Sequence, residues 1–94
     1  MTVPREAAIV RAILAALNAL PRCRAIKLHV SRFGVVGTPD ILCVRDGRAV
    51  LIEVKRPGGR VTDIQAMQMR SWAGAGATCG VATSVAQALE LVSG

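Results

Sequence analysis

Ninety-four residues leave room for one domain around one core. Twelve Lys and Arg against six Asp and Glu give a net charge of +6, and ten of the twelve are Arg, whose forked donors suit phosphate or carboxylate. At 52% hydrophobic the chain is no disordered basic tail, and no apolar run reaches the ~18 residues of a membrane-spanning helix. The early Glu6 and the lack of an apolar leader speak against a secretory signal. Cys23, Cys43 and Cys79 are odd in number and widely spaced, which fits neither a disulfide framework nor a zinc pair. Free buried thiols in a reducing, cytoplasmic compartment are expected. With Phe33 and Trp72 as the only aromatics, no platform for base stacking exists. A chain this short buries only about 60–65% of its unfolded surface. Its apolar content therefore points to further burial, most simply in a homodimer.

Residues 4 to 18 read as a helix, with Thr2 as candidate N-cap and Pro4 in the first turn. Ile9, Val10, Ile13 and Leu17 make one apolar face, and Glu6 sits on it one turn before Val10. Pro21 breaks the exit. Residues 24 to 31 alternate as a half-exposed strand, with Ile26, Leu28 and Val30 inward and Lys27, His29 and Ser31 outward. A loop with Gly34 and Gly37 follows, from Phe33 to Pro39. Two apolar runs, Asp40 to Arg45 and Arg48 to Lys55, flank Asp46-Gly47, a pair preferred in two-residue type I′ hairpins. Pro57-Gly58-Gly59 ends the second run. Thr62 with Gln65 is a capping box opening a helix that carries Met69 and Trp72 on the face of Gln65. Cys79 to Thr83 is a short strand, and Ser84 with Gln87 opens a last helix striped by Val85, Ala88, Leu89 and Val92. The order is α-β-β-β-α-β-α. Gly74-Ala75-Gly76 lies at a helix end rather than between strand and helix, so no dinucleotide loop and no nucleotide cofactor are expected.

The hairpin fixes a register. Counting outward from Arg45 opposite Arg48 sets Asp40 opposite Glu53, and Lys55 falls on the same face as Glu53. Leu42 and Leu51 flank them, so the acids border a core. Opposed like charges are destabilising unless compensated. Lys55 is one compensator and a hard divalent cation, held by carboxylates and substrate phosphate oxygens, is a better one. Phosphodiester hydrolysis uses these parts. A divalent ion polarises the phosphoryl group and acidifies water, and an ammonium stabilises the attacking or developing negative charge. Glu6 lies on the face that can reach the same ion. Gln65 can orient water or Lys55, with Gln68 a poorer substitute a quarter-turn away.

The run Gly37-Thr38-Pro39-Asp40, then Glu53-Val54-Lys55, resembles the PD-(D/E)xK nuclease motif. Glu6, Gly-x-Pro-Asp, the Ile-Glu-Val-Lys-Arg-Pro-Gly run at 52–58, Thr62, Gln65 and Trp72 before Gly76 together are similar to the VRR-NUC, or virus-type replication-repair nuclease, family. The resemblance spans Glu6 to about Val81. It implies a restriction-endonuclease-like α/β fold, a mixed sheet flanked by helices, in a single nuclease domain over 1–94. It implies that Asp40, Glu53 and the backbone carbonyl of Val54 bind Mg²⁺ or Mn²⁺, that Lys55 is the catalytic lysine, and that Glu6 and Gln65 assist. Short stand-alone members of the family, notably from phages, resemble dimeric Holliday-junction resolvases. The expected activity is thus a metal-dependent, structure-selective endonuclease acting on branched DNA as a homodimer, in the host cytoplasm if phage-encoded and without a membrane partner. No accessory DNA-binding domain is expected beside the nuclease domain, so a preference for flaps over junctions does not carry over.

Each residue also has a plainer role. Asp40, Glu53 and Lys55 form an ion cluster at a sheet edge if no metal is involved. Glu6 suits the first-turn dipole, and Gln65 is accounted for by its capping box. Arg56 and Arg60, flanking the Pro-Gly-Gly loop, either hold a phosphodiester strand or line a solvated turn. Lys27, His29 and Arg32 are candidate DNA contacts on a polar strand face, and His29 is otherwise simply solvated. Trp72 belongs to the core or to a dimer interface. The alternatives in function are a flap, nick or restriction-type nuclease, a non-catalytic nucleic-acid-binding module of the same fold, and a purely structural α/β protein.

Overall fold

The structure, a computed structural model, describes residues 4–29 and 34–93. Its elements are α1 (Glu6–Asn18), β1 (Cys23–Lys27), β2 (Ile41–Arg45), β3 (Arg48–Val54), α2 (Asp63–Gly74), β4 (Thr78–Ala82) and α3 (Val85–Ser93). They follow the predicted order. The strands lie side by side as β1-β2-β3-β4, antiparallel up to β3, while β4 runs parallel to β3. A parallel neighbour needs a crossover, and α2 supplies it.

Asp46 and Gly47 take φ of 52° and 79°. Both are positive, as a type I′ turn requires. The register follows as expected, with Arg45 opposite Arg48, Val44 opposite Ala49 and Ile41 opposite Ile52. Arg22 clamps the turn, its Nε 2.6 Å from Asp46 Oδ1 and its carbonyl accepting the Asp46 N–H at 3.1 Å. Beyond the turn, Arg45 and Arg48 both donate long hydrogen bonds to the Val92 carbonyl, at 3.5 and 3.4 Å. The last turn of α3 carries no basic residue of its own, so the hairpin supplies the cations that its carbonyl end favours.

Period-two alternation gives the sheet two faces. Ile41, Cys43, Val50, Ile52 and Val54 point to one, where Ile13 and Leu17 of α1 and Ala88 and Val92 of α3 close the main core. Leu51 and Glu53 point to the other, which α2 covers only in part. No residue of α2 is buried, and Trp72 is 44% exposed. The predicted core role of Trp72 therefore does not hold. It lines a surface cleft of about 470 Å³ with Leu42, Ala49 and Leu51.

Two expected boundaries change. The first helix starts at Glu6 with Arg5 as N-cap and no side-chain cap. The Arg5 carbonyl accepts from Ala8 and Ile9, and Pro4 stands just ahead of the cap, where its missing N–H costs nothing. The proposed cap Thr2 lies outside the described residues. The first strand is shorter than expected and faces the other way. β1 ends at Lys27, Ala25 is buried, and Ile26 is 44% exposed. The cause is tertiary. Asn18, at the end of α1, accepts the Ala25 N–H at 2.8 Å and donates to the Ala25 carbonyl at 2.9 Å. That side chain acts as an extra strand and turns Ala25 toward α1. Asn18→Ala should cost about 1–3 kcal/mol, since it leaves buried backbone groups unpaired, as measured by urea unfolding.

Gly37 has φ +85°, and a Cβ there would sit 2.8 Å from the Ile64 carbonyl oxygen in the first turn of α2. The loop before Pro39 thus packs directly on the helix backbone. Gly37→Ala should destabilise by about 2 kcal/mol or more, from the left-handed backbone and the clash together. Chemical denaturation would measure this.

Candidate functional site

Asp40, Glu53 and Lys55 meet where β2 begins and β3 ends. Pro39, fully buried, and the Gly37 turn deliver the chain to Asp40. The Asp40 Oδ2 accepts the Val54 N–H at 2.8 Å, so its carboxylate bridges from β2 to β3. Its backbone carbonyl accepts the Leu28 N–H at 2.7 Å.

Glu53 is 2% exposed. Gln65 Nε2 donates to its Oε1 at 3.1 Å, and Lys55 Nζ lies 3.7 Å from the same oxygen. Its Oε2 is buried and has no hydrogen-bond partner among the described residues. Burial pushes the Glu53 carboxyl up to about 8, the neighbouring Asp40 and Glu6 charges push the same way, and Lys55 opposes them. Lys55 is itself nearly buried, and its backbone N–H donates to the Ala82 carbonyl at 3.1 Å.

Gln65 completes its capping box and also reaches Glu53, rather than Lys55. Its Oε1 accepts the Thr62 N–H at 2.9 Å while its own N–H donates to Thr62 Oγ1 at 3.2 Å, a complete capping box. The remaining amide nitrogen reaches Glu53. The cap therefore fixes the rotamer of the residue that touches the carboxylate.

Glu6 is exposed in the first turn of α1. It lines a cleft of about 290 Å³ with Val10, Arg11, Lys27 and Asp40, so it stands beside the acids without joining them in contact. Lys27 belongs to this cleft, on the α1 side, rather than to an open polar face. Its Nζ is 3.7 Å from Asp40 Oδ1. Each carboxylate is thus paired with its own lysine. Sequence reasoning missed the Lys27–Asp40 pair and Arg11, because both depend on how β1 docks between β2 and α1. Arg56 and Arg60 are exposed around the Gly58-Gly59 turn, and His29 is exposed just past β1. Arg32 lies outside the described residues.

Among the described residues no three His, Cys, Asp or Glu side chains converge as a metal-ligand set. The site offers two carboxylates and the backbone of Val54. That donor set suits Mg²⁺, which is commonly held by one or two carboxylates and completes its shell with water and substrate phosphate. The unpartnered Oε2 of Glu53 is the atom such an ion would satisfy.

A mixed four-stranded sheet with helices on both faces, in the order α-β-β-β-α-β-α, is compatible with the restriction-endonuclease-like class. Within that class the chain is similar to a solved structure described as a VRR_NUC domain, with a TM-score of 0.75 and 22% identity over 93% of this chain and 92% of that one. The fold is therefore that of a VRR_NUC domain. No protein-family model matches the sequence, and no curated protein does either.

Proposed function

We propose that this chain is a metal-dependent DNA endonuclease of the VRR-NUC family, acting on branched duplex as a homodimeric junction resolvase. The observation that carries the reading is Glu53, a buried carboxyl with one unpartnered oxygen, set beside Asp40 and 3.7 Å from the Lys55 ammonium. Burying such a group without a partner is costly, and a cation bound between the two acids would remove the cost.

Asp40, Glu53 and the Val54 carbonyl would hold Mg²⁺ or Mn²⁺, which supplies Lewis-acid polarisation of a phosphodiester and a more acidic water. The remaining work falls to the chain's own residues. Lys55 is held by burial to one approach, so its ammonium meets negative charge growing on the phosphorus oxygens or on the attacking water. Gln65 fixes the Glu53 rotamer. Glu6, on the rim of the cleft, orients water or accepts its proton. Arg56, Arg60, Arg32, Lys27 and His29 would contact the backbone of the DNA, and the net charge of +6 would make that affinity fall with salt.

The homodimer is supported by the half of the sheet that α2 leaves open. Ile26, Val44 and Trp72 are each 44% exposed there, around Leu42. A two-fold dimer would set two sites on the symmetric strands of a four-way junction. Val44→Arg should convert the dimer to monomer in sedimentation equilibrium, and a monomeric wild type with junction DNA present would sink this part.

A panel of labelled junction, flap, nicked and linear duplex DNA, each with Mg²⁺ or Mn²⁺, tests the substrate. Preferential paired nicks in the junction are expected. A preference for flap or nick keeps the nuclease and removes the resolvase. Tight junction binding with no cleavage in either metal favours a non-catalytic binding module.

A further inference from the structure

Cys23 and Cys43 lie on neighbouring strands with their sulfurs 3.4 Å apart. The register sets Cys23 opposite Arg45 and Cys43 opposite Ala25, so the two are diagonal neighbours on the face that packs against α1. Cys43 is fully buried and Cys23 is half-buried. Sequence spacing gave no reason to pair them, since twenty positions and a long loop separate them.

We propose that Cys23 and Cys43 are a reversible dithiol–disulfide couple, oxidised by a peroxide or a low-molecular-weight disulfide, that locks the edge strand β1 to β2. Cys23 is the thiol that solvent reaches, so it is oxidised first. With a peroxide, the Cys23 sulfur takes one oxygen and becomes a sulfenic acid, and one water leaves. The Cys43 sulfur then attacks the Cys23 sulfur. The S–S bond forms, the S–O bond breaks, and the hydroxyl departs as a second water with the Cys43 proton. Two electrons pass from the thiols to the peroxide. With a small disulfide, Cys23 first forms the mixed disulfide and Cys43 displaces the small thiol. Burial and the neighbouring Cys23 push the Cys43 thiol up to about 12, so Cys43 resolves rather than initiates.

Diagonal strand neighbours have Cα atoms about 7–8 Å apart, at or beyond the ~6.8 Å limit of ordinary disulfides. Closing the bond must draw the strands together. Such strained bridges are the more easily reduced, regulatory kind. Strand β1 also carries Lys27, the partner of Asp40, and leads into Leu28, which bonds the Asp40 backbone. The bridge therefore acts on the strand that braces this carboxylate.

The test uses the reduced full chain, exposed to hydrogen peroxide or to oxidised glutathione, then denatured and labelled with a maleimide. Intact mass should show labels falling from three to one, and peptide mapping should join the Cys23 and Cys43 peptides. Reduced glutathione at cellular concentration should restore all three labels. Cys79→Ser should fall from two labels to none, and Cys23→Ser should form no internal bridge. Hyperoxidised Cys23, a stable glutathione adduct, a bridge to Cys79 or between chains, or a bridge that glutathione cannot reopen would each overturn the proposal.

Discussion

Glu53→Gln should make the metal-free chain more stable at pH 8 and remove its response to metal. In the folded chain the Glu53 carboxyl is held up to about 8, against an ordinary value of 4.5. Below 4.5 both folded and unfolded chains are protonated there, and the group has no effect. Between 4.5 and 8 the unfolded chain releases a proton that the folded chain keeps, so stability falls as pH rises, by at most ~1.4 kcal/mol per unit. Above 8 the full penalty of the buried charge is present. Glutamine mimics the protonated form and still accepts from Gln65. The variant should therefore have a flat profile over this window and gain on the order of 2–4 kcal/mol at pH 8, or roughly 10–30 °C in Tm. Wild type should regain stability with Mn²⁺ because the ion binds only the folded site, and the variant should not. Because the ion competes with one proton, Mn²⁺ affinity of wild type should rise about tenfold per pH unit up to about pH 8. Calorimetric titration at three pH values would measure this. A pH-independent affinity would place the metal elsewhere.

Lys55→Ala should lower cleavage by about 10²–10³ while leaving the fold intact by circular dichroism. Two effects add. The ammonium that would meet the developing phosphate charge is gone, and the one group that lowers the Glu53 carboxyl is gone with it. The second effect predicts that the variant's metal affinity weakens most at neutral pH and recovers as pH rises, which a purely structural loss would not do. Lys55→Arg should not rescue it, since the guanidinium differs in shape and reach from an ammonium held in a nearly closed site. Rates measured over pH with metal in excess separate the two contributions.

The heart of the candidate site was legible because local rules governed it. Asp46-Gly47 dictated a two-residue turn, the turn dictated register, and period two then brought Asp40 toward Glu53 and placed Lys55 on the same face. The Thr62–Gln65 capping box was readable for the same reason, and it anchors the side chain that reaches Glu53. What escaped depends on tertiary docking. The inward face of β1 is chosen by Asn18, seven positions away from Ala25 and on another element. Alternation alone favoured Ile26, the larger apolar residue, over Ala25. Once that face was misassigned, the Lys27–Asp40 pair and the Cys23–Cys43 contact were both out of reach. Trp72 was expected to be buried or at an interface because it is large. It sits in the last turns of α2, a helix with no buried residue, and is 44% exposed.

The most direct test of the account is cleavage of a labelled four-way junction by wild type, Lys55→Ala and Asp40→Ala, each with Mg²⁺, Mn²⁺ or EDTA. Paired nicks by wild type in the presence of metal, absent with EDTA and lost in both variants, are predicted. Metal-dependent cleavage that survives in both variants, or no cleavage by wild type of any DNA in either metal, would contradict it.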